Sequence, residues 1–119
     1  MRYKIDEIIS FWKEGLRYPG QTNRELDTSL KLPIVLGCTA ERFPYAMLLT
    51  DNQPKAPRRM EAIDVRVGRR FNADSSEAWS LTFILQDVNL MHAFAEICLA
   101  FAERIAEASS KDAALRQIY

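Results

Sequence analysis

The sequence predicts an α+β domain, with an antiparallel sheet of about four strands packed against a long C-terminal helix and an amphipathic helix at the N-terminus. Apolar and polar residues alternate from Ile63 to Val67 and again from Trp79 to Leu85, the period of a strand with one buried face. From Leu90 to Ile105 apolar residues recur every three or four positions, which is the stripe of an amphipathic helix. The 119 residues are one domain's worth and can enclose a modest core.

Taken in order, Ile5, Ile8, Ile9, Trp12 and Leu16 fall at helical spacing between Tyr3 and Leu16, with Lys4, Asp6, Glu7, Lys13 and Glu14 elsewhere. Gly15, or the turn Tyr18-Pro19-Gly20, ends this helix. The stretch QTNRELDTSLK, Gln21 to Lys31, has weak periodicity and reads as a loop. LPIVLGC predicts a short strand near Ile34 to Cys38, and PYAMLLT another from Tyr45 to Thr50. Asp51-Asn52-Gln53-Pro54 has turn chemistry, because Asp and Asn bond their own backbone and Pro fixes φ. The two prolines of DNQPKAPRR exclude regular structure there.

Ile63, Val65 and Val67 then form a third strand, and Trp79, Leu81, Phe83 and Leu85 the buried side of a fourth, with Arg69 to Glu77 as a long hairpin loop. Four consecutive strands with short links imply a meander. Asp87 stands at an N-cap position, where its carboxylate accepts from first-turn amides. Leu90, Phe94, Ile97, Phe101 and Ile105 make the helix stripe, widened by Met91, Cys98 and Ala102, over about 20 residues to Ala108. Ser109-Ser110-Lys111-Asp112 restarts a helix carrying Ala113, Ala114, Leu115 and Ile118. A helix stopped so early leads us to expect that residues 1–119 are the leading part of a longer protein.

Sixteen basic residues balance sixteen acidic ones, unlike the basic excess of a dedicated nucleic-acid binder. The charge is uneven, however. Six basic residues lie between Lys55 and Arg70, against Glu61 and Asp64. Cys38 and Cys98 each sit in an apolar run with no Cys or His at metal-ligand spacing, as buried thiols of a reducing compartment do. The acids within MRYKIDEIISFWKEG are unlike a signal peptide. No stretch approaches the roughly 20 apolar residues of a membrane span, so a cytoplasmic location and no membrane partner are expected.

Catalytic chemistry is sparse. His92 is the single histidine and has no identifiable nucleophile partner. Four glycines form no phosphate loop. Metal-dependent phosphodiester cleavage needs clustered acids plus a lysine, in compact form an acid two residues before the lysine. Phe11, Ser29, Gln53 and Ser109 precede Lys13, Lys31, Lys55 and Lys111 by two, and Arg2 precedes Lys4. The sequence therefore offers no catalytic residue, no metal ligand set and no cofactor site. Trp12 and Trp79 both read as core. The candidate contact is the basic group Arg66, Arg69 and Arg70, with Arg58 and Arg59 in the proline-containing link. Arg66 projects from the wet face, and Arg69 and Arg70 stand at the strand's exit. They read either as a weak DNA-phosphate contact or as the solvated side of a sheet.

From Arg42 to Ile105 the order of segments resembles the N-terminal part of the bacterial PD-(D/E)XK motif proteins of the nuclease superfamily. "RFPYAMLL" is followed by a proline-containing link, "EAIDVRVGRR" and "WSLTFILQDVNLMHAFAEICLAFAERI". In that family a strand of the type L-x-L-x-D runs into a helix of the type F-x-x-L-C-x-D-L. Here the matching positions are Phe83, Leu85 and Asp87, then Phe94, Ile97 and Cys98, while Ala100 departs from the family's acid. The resemblance implies an accessory N-terminal domain of a restriction-like or phage-defence protein, non-catalytic by itself, positioning DNA, another subunit of the system or a second copy. The family's catalytic motif, and its divalent metal (Mg), lie downstream of this region. A stand-alone protein–protein interaction module with no nucleic-acid role is the other reading.

Overall fold

Apolar spacing in the first segment produces α1, Arg2–Gly15, whose Ile8, Ile9 and Trp12 are buried. The computed structural model describes residues 2–18, 22–26, 33–51, 53–54, 57 and 60–108. The strands are β1 (Thr22–Leu26), β2 (Ile34–Cys38), β3 (Pro44–Thr50), β4 (Ile63–Phe71) and β5 (Glu77–Leu85), followed by a 3-10 turn at Val88–Leu90 and α2 (Met91–Ala108). The α+β class stands, with a five-stranded antiparallel sheet flanked by an N-terminal and a C-terminal helix.

Several local expectations are corrected. The sheet has five strands because β1 forms inside the expected loop. Its Asn23, Arg24 and Glu25 are exposed at the sheet edge, and pairing from Thr22↔Cys38 to Leu26↔Ile34 holds it by backbone hydrogen bonds. An edge strand of this kind carries no apolar alternation to read. The sheet is also not a meander, since the order is β1-β2-β3-β5-β4. β5 lies between β3 and β4 and pairs antiparallel with both, so β3 and β4 run parallel. The chain between Thr50 and Ile63 must then return from one end of the sheet to the other. Met60, late in that connection, packs against the core.

The parity of the strands separates two surfaces. Ile34, Leu36, Ala46, Leu48, Leu81 and Phe83 are buried and share one cluster with Ile8 and Trp12 of α1 and Phe94 and Ala102 of α2. Both helices therefore cover the same face. Trp12 stacks on Phe94 with ring centres 4.9 Å apart and planes 11° from parallel. Its indole N–H donates to the Tyr45 carbonyl at 3.2 Å, which anchors α1 to β3. Phe83 meets Phe101 at 5.0 Å, tilted by 49°. Cys38 and Cys98 are buried free thiols, as expected, and burial pushes both pKa values up.

The helix stripe is shifted by one position at its start. Asp87 caps as expected, its carboxylate accepting from the Asn89 amide at 3.0 Å. It caps the 3-10 turn, however, so α-helical phase begins only at Met91. Leu90 is left 42% exposed, and Met91, Phe94, Ala95, Cys98, Ala102 and Ile105 form the buried stripe. Ile97 and Phe101 flank it, half-buried. The helix restart expected at Ser109 and beyond lies outside the described residues.

Candidate functional site

The arginines do not stand beside a long loop, because β4 and β5 extend through them. The ladder continues through Arg69↔Trp79, Arg70↔Ala78 and Phe71↔Glu77, leaving only Asn72 to Ser76 as the turn. The Asn72 amide donates to the Ser76 carbonyl at 2.9 Å, and the Ser75 amide to the Asn72 carbonyl at 2.9 Å. Ser75 takes the left-handed conformation, φ 69°. The Asp74 carboxylate accepts from the Ser76 hydroxyl and, at 3.0 Å, from the Ser76 amide. These two donors, the hydroxyl first, lower the Asp74 pKa. Asp-x-Ser chemistry of this kind closes a turn without apolar support.

Strand alternation divides the basic group. Arg66 and Arg70 share the face away from the helices, whereas Arg69 follows Val65 and Val67 on the helix side. The Arg66 Nε and Nη2 atoms donate to Asp64 Oδ2 at 3.0 and 2.8 Å. Two-residue spacing on one strand puts that pair on one face, which is legible in the sequence. Arg69 is paired diagonally across the hairpin with Glu77, which stands opposite Phe71. Its guanidinium carbon also lies 5.7 Å from the Phe71 ring centre and 5.5 Å from that of Trp79, within cation–π range. Trp79 is thus half-buried under an arginine at the sheet's end rather than in the core. Arg70 has no hydrogen-bond or ion-pair partner among the described residues. Arg58 and Arg59 lie outside them.

Gly68 sits between Arg66 and Arg70 on their face. A Cβ there would fall 2.6 Å from the Ser80 hydroxyl oxygen, so the Ser80 side chain occupies the space above this glycine. Phe71 is 66% exposed. It was absorbed into an expected loop, and an apolar ring in an otherwise polar stretch was the signal that could have singled it out. On the helix side the hairpin presents the exposed Phe71 ring and Arg69 within range of two rings, and on the opposite face Arg70, without an ion-pair partner among the described residues.

Two clefts lie elsewhere. One, about 480 Å³, is lined by Thr39, Glu41, Phe43, Asp64, Arg66, Ile84 and Gln86. Its wall is the turn in which Thr39 Oγ1 accepts from the Phe43 amide at 3.0 Å and Arg42 adopts φ 68°. The other, about 350 Å³, sits between Asp6, Ser10, Lys13, Glu14 and Arg17 of the first helical segment and the exposed His92. Among the described residues no hydrogen bond joins His92 to a hydroxyl or a carboxylate, and no group of three or more His, Cys, Asp or Glu could hold a metal ion. Nor is any described helix long and apolar enough to cross a membrane.

Compared with protein-family models, curated proteins and solved structures, the chain matches none of them.

Proposed function

We propose that this domain is a non-catalytic accessory module that positions a nucleic-acid strand against the β4–β5 hairpin, within the kind of restriction-like or phage-defence nuclease its sequence resembles. The observation that carries this reading is the exposed Phe71 ring at the end of the hairpin, with Arg69 on the same face within cation–π range of both Phe71 and Trp79. Aromatic faces stack on bases regardless of sequence, and each such stack contributes about 1–3 kcal/mol. Arg66 and Arg69 already face carboxylates, so phosphate attraction falls mainly to Arg70, which projects from the opposite face and is reached by a strand that passes around the hairpin's exposed end. A projecting ring, with Arg70 the one cation of the hairpin that lacks an ion-pair partner among the described residues, suits an unstacked single strand better than a duplex, whose backbone calls for several cations. Cleavage, with its metal, would be supplied by the downstream motif that the resemblance implies.

Fluorescence anisotropy with a short single-stranded oligonucleotide at two salt concentrations tests this. Phe71→Ala should weaken binding roughly 5- to 150-fold, the equivalent of one lost stack. Its exposure keeps the change in folding stability within about 0.5 kcal/mol. Arg70→Ala should lower the slope of log affinity against log salt by about 0.7, the value for one single-strand phosphate contact. Absence of binding by the unmodified domain at low salt refutes the reading.

A further inference from the structure

We propose that the cleft between α1 and the first turn of α2 binds a small phosphate monoester that carries a hydroxyl group. The cleft holds about 350 Å³, and every lining side chain except Ile9 is exposed. That volume lies at the lower end of ligand-sized clefts, which begin at about 300 Å³. The core beneath fixes its two walls. Lys13 follows Trp12 and His92 stands two residues before Phe94, and those two rings stack at 4.9 Å. The Trp12 indole is tied in turn to the Tyr45 carbonyl. Groups carried on two packed helices are held in place before a ligand arrives.

Spacing brings the polar groups together. Asp6, Ser10 and Lys13 are separated by three or four residues, so they follow one side of α1. Arg17 comes from the turn that ends this helix, where its amide donates to the Glu14 carbonyl at 3.2 Å. Among the described residues, the Asp6, Lys13 and His92 side chains have no ion-pair partner. Arg17 has only Glu14, at 3.8 Å, with both side chains well exposed. A surface pair of this kind is weak, so the guanidinium remains open to a ligand.

The lining chemistry selects the occupant. Lys13 and Arg17 supply two positive charges, and a phosphate monoester carries about −1.5 to −2 at neutral pH. The ammonium, the guanidinium, the Ser10 hydroxyl and the His92 imidazole can all donate. Three terminal phosphate oxygens accept from four donors better than the two oxygens of a carboxylate do. Asp6 stands seven residues before Lys13, about 10 Å along the helix axis. Its carboxylate accepts from a hydroxyl at the ligand's other end and repels a second phosphate there. A polyanionic strand is therefore a poor occupant, and this site is separate from the hairpin. Tyr45, which anchors Trp12, pairs with Ile84 near the end of β5, whereas Phe71 stands opposite Glu77 at its start. From Ile84 to Glu77 the strand spans about 23 Å.

Titration of the 119-residue chain with glycerol 3-phosphate, followed by NMR of the backbone amides and the His92 ring, tests this. Saturable shifts centred on Ser10, Lys13, Arg17 and His92 are expected. Inorganic phosphate lacks the hydroxyl end and fructose 1,6-bisphosphate adds a second phosphate. Each should bind at least about fivefold more weakly, the equivalent of one hydrogen bond. Lys13→Gln and Arg17→Gln should each weaken glycerol 3-phosphate binding at least about tenfold, as loss of a charge-assisted hydrogen bond does. Asp6→Asn should bring the bisphosphate level with the monoester. These positions are exposed, so the variants should fold, which circular dichroism checks. The absence of saturable shifts overturns the proposal, as do shifts shared equally with Arg66 and Arg70. Affinity indifferent to both Lys13→Gln and Arg17→Gln also overturns it, and so does a bisphosphate that binds the unmodified chain as tightly as the monoester. Failure of oligonucleotide binding with this titration intact would refute the hairpin reading alone.

Discussion

The two faces of this sheet are made by alternate residues of the same strands, yet they behave differently. On the helix side Leu36, Leu48, Leu81 and Phe83 are shut off from solvent, while Val35, Met47, Leu49 and Ile84 on the other side remain half-buried. The first set shares one cluster with residues of both helices, and the stacked Trp12 and Phe94 rings lock that layer together. The second set is flanked by Glu25, Asp64, Arg66 and Arg70 at the sheet's two edges. Hydrophobicity alone therefore does not choose the core side. The helices choose it, by covering the face that carries Ile34, Leu36, Ala46, Leu48, Leu81 and Phe83, with edge charges such as Arg24 satisfied by Glu7 of α1.

The largest separation between the faces should appear on truncation. Phe94→Ala removes the ring stacked on Trp12 and should cost about 3–5 kcal/mol in urea unfolding. Met47→Ala, on the face away from the helices where Met47 is only half-buried, should cost less, about 1 kcal/mol, since less burial is lost. Equal losses would mean that Met47 is as tightly covered as the residues of the helix side.

A middle-sized effect belongs to the junction between sheet and helix layer. Asp87→Ala leaves the Asn89 amide without its acceptor and should cost about 1 kcal/mol. The loss should show as earlier amide exchange from Val88 to Met91, with the hairpin unaffected. Loss of protection in the Asn72 to Ser76 turn instead would break this assignment.

The smallest effect lies at the hairpin tip. The Ser76 donors hold the Asp74 carboxyl below its usual range, so ionised Asp74 favours the folded state. That contribution is complete above the ordinary Asp pKa of about 3.9. It disappears as pH falls from there through the lowered folded-state value. Carboxyl chemical shifts followed by NMR should show Ser76→Ala moving the Asp74 midpoint upward. An unchanged midpoint would remove the hydroxyl as the main cause.

Much of the architecture was legible because it rests on period. The alternation of Ile63 to Val67 and Leu81 to Leu85 named the buried sides of β4 and β5, and the α1 stripe put Trp12 in the core. The hairpin was harder. Arg66 and Asp64 could be placed together by spacing, but Arg69's contact with Glu77 and Trp79 depends on how far the ladder runs before it turns. Nothing in the period of residues 69–77 marks that point, because polar residues pair through their backbone as readily as apolar ones. Trp79 illustrates the cost of missing it. Its parity with Leu81 and Phe83 is correct, yet it stands at the end of the face, where Arg69 covers it instead of a helix.

By itself the sequence determined the class, two amphipathic helices, four of the five strands, the cap at Asp87 and two buried thiols. All of these are local consequences of side-chain period and turn chemistry. Tertiary structure decided that Thr22 to Leu26 pairs at an edge, that β5 enters between β3 and β4, and that Met91 rather than Leu90 leads the buried stripe. It also aligned Glu25, Val35, Met47, Thr82 and Arg66 into one row. Backbone hydrogen bonds carry no side-chain label, so which strands become neighbours, and which distant residues share a row, is settled only when the whole sheet closes on its core.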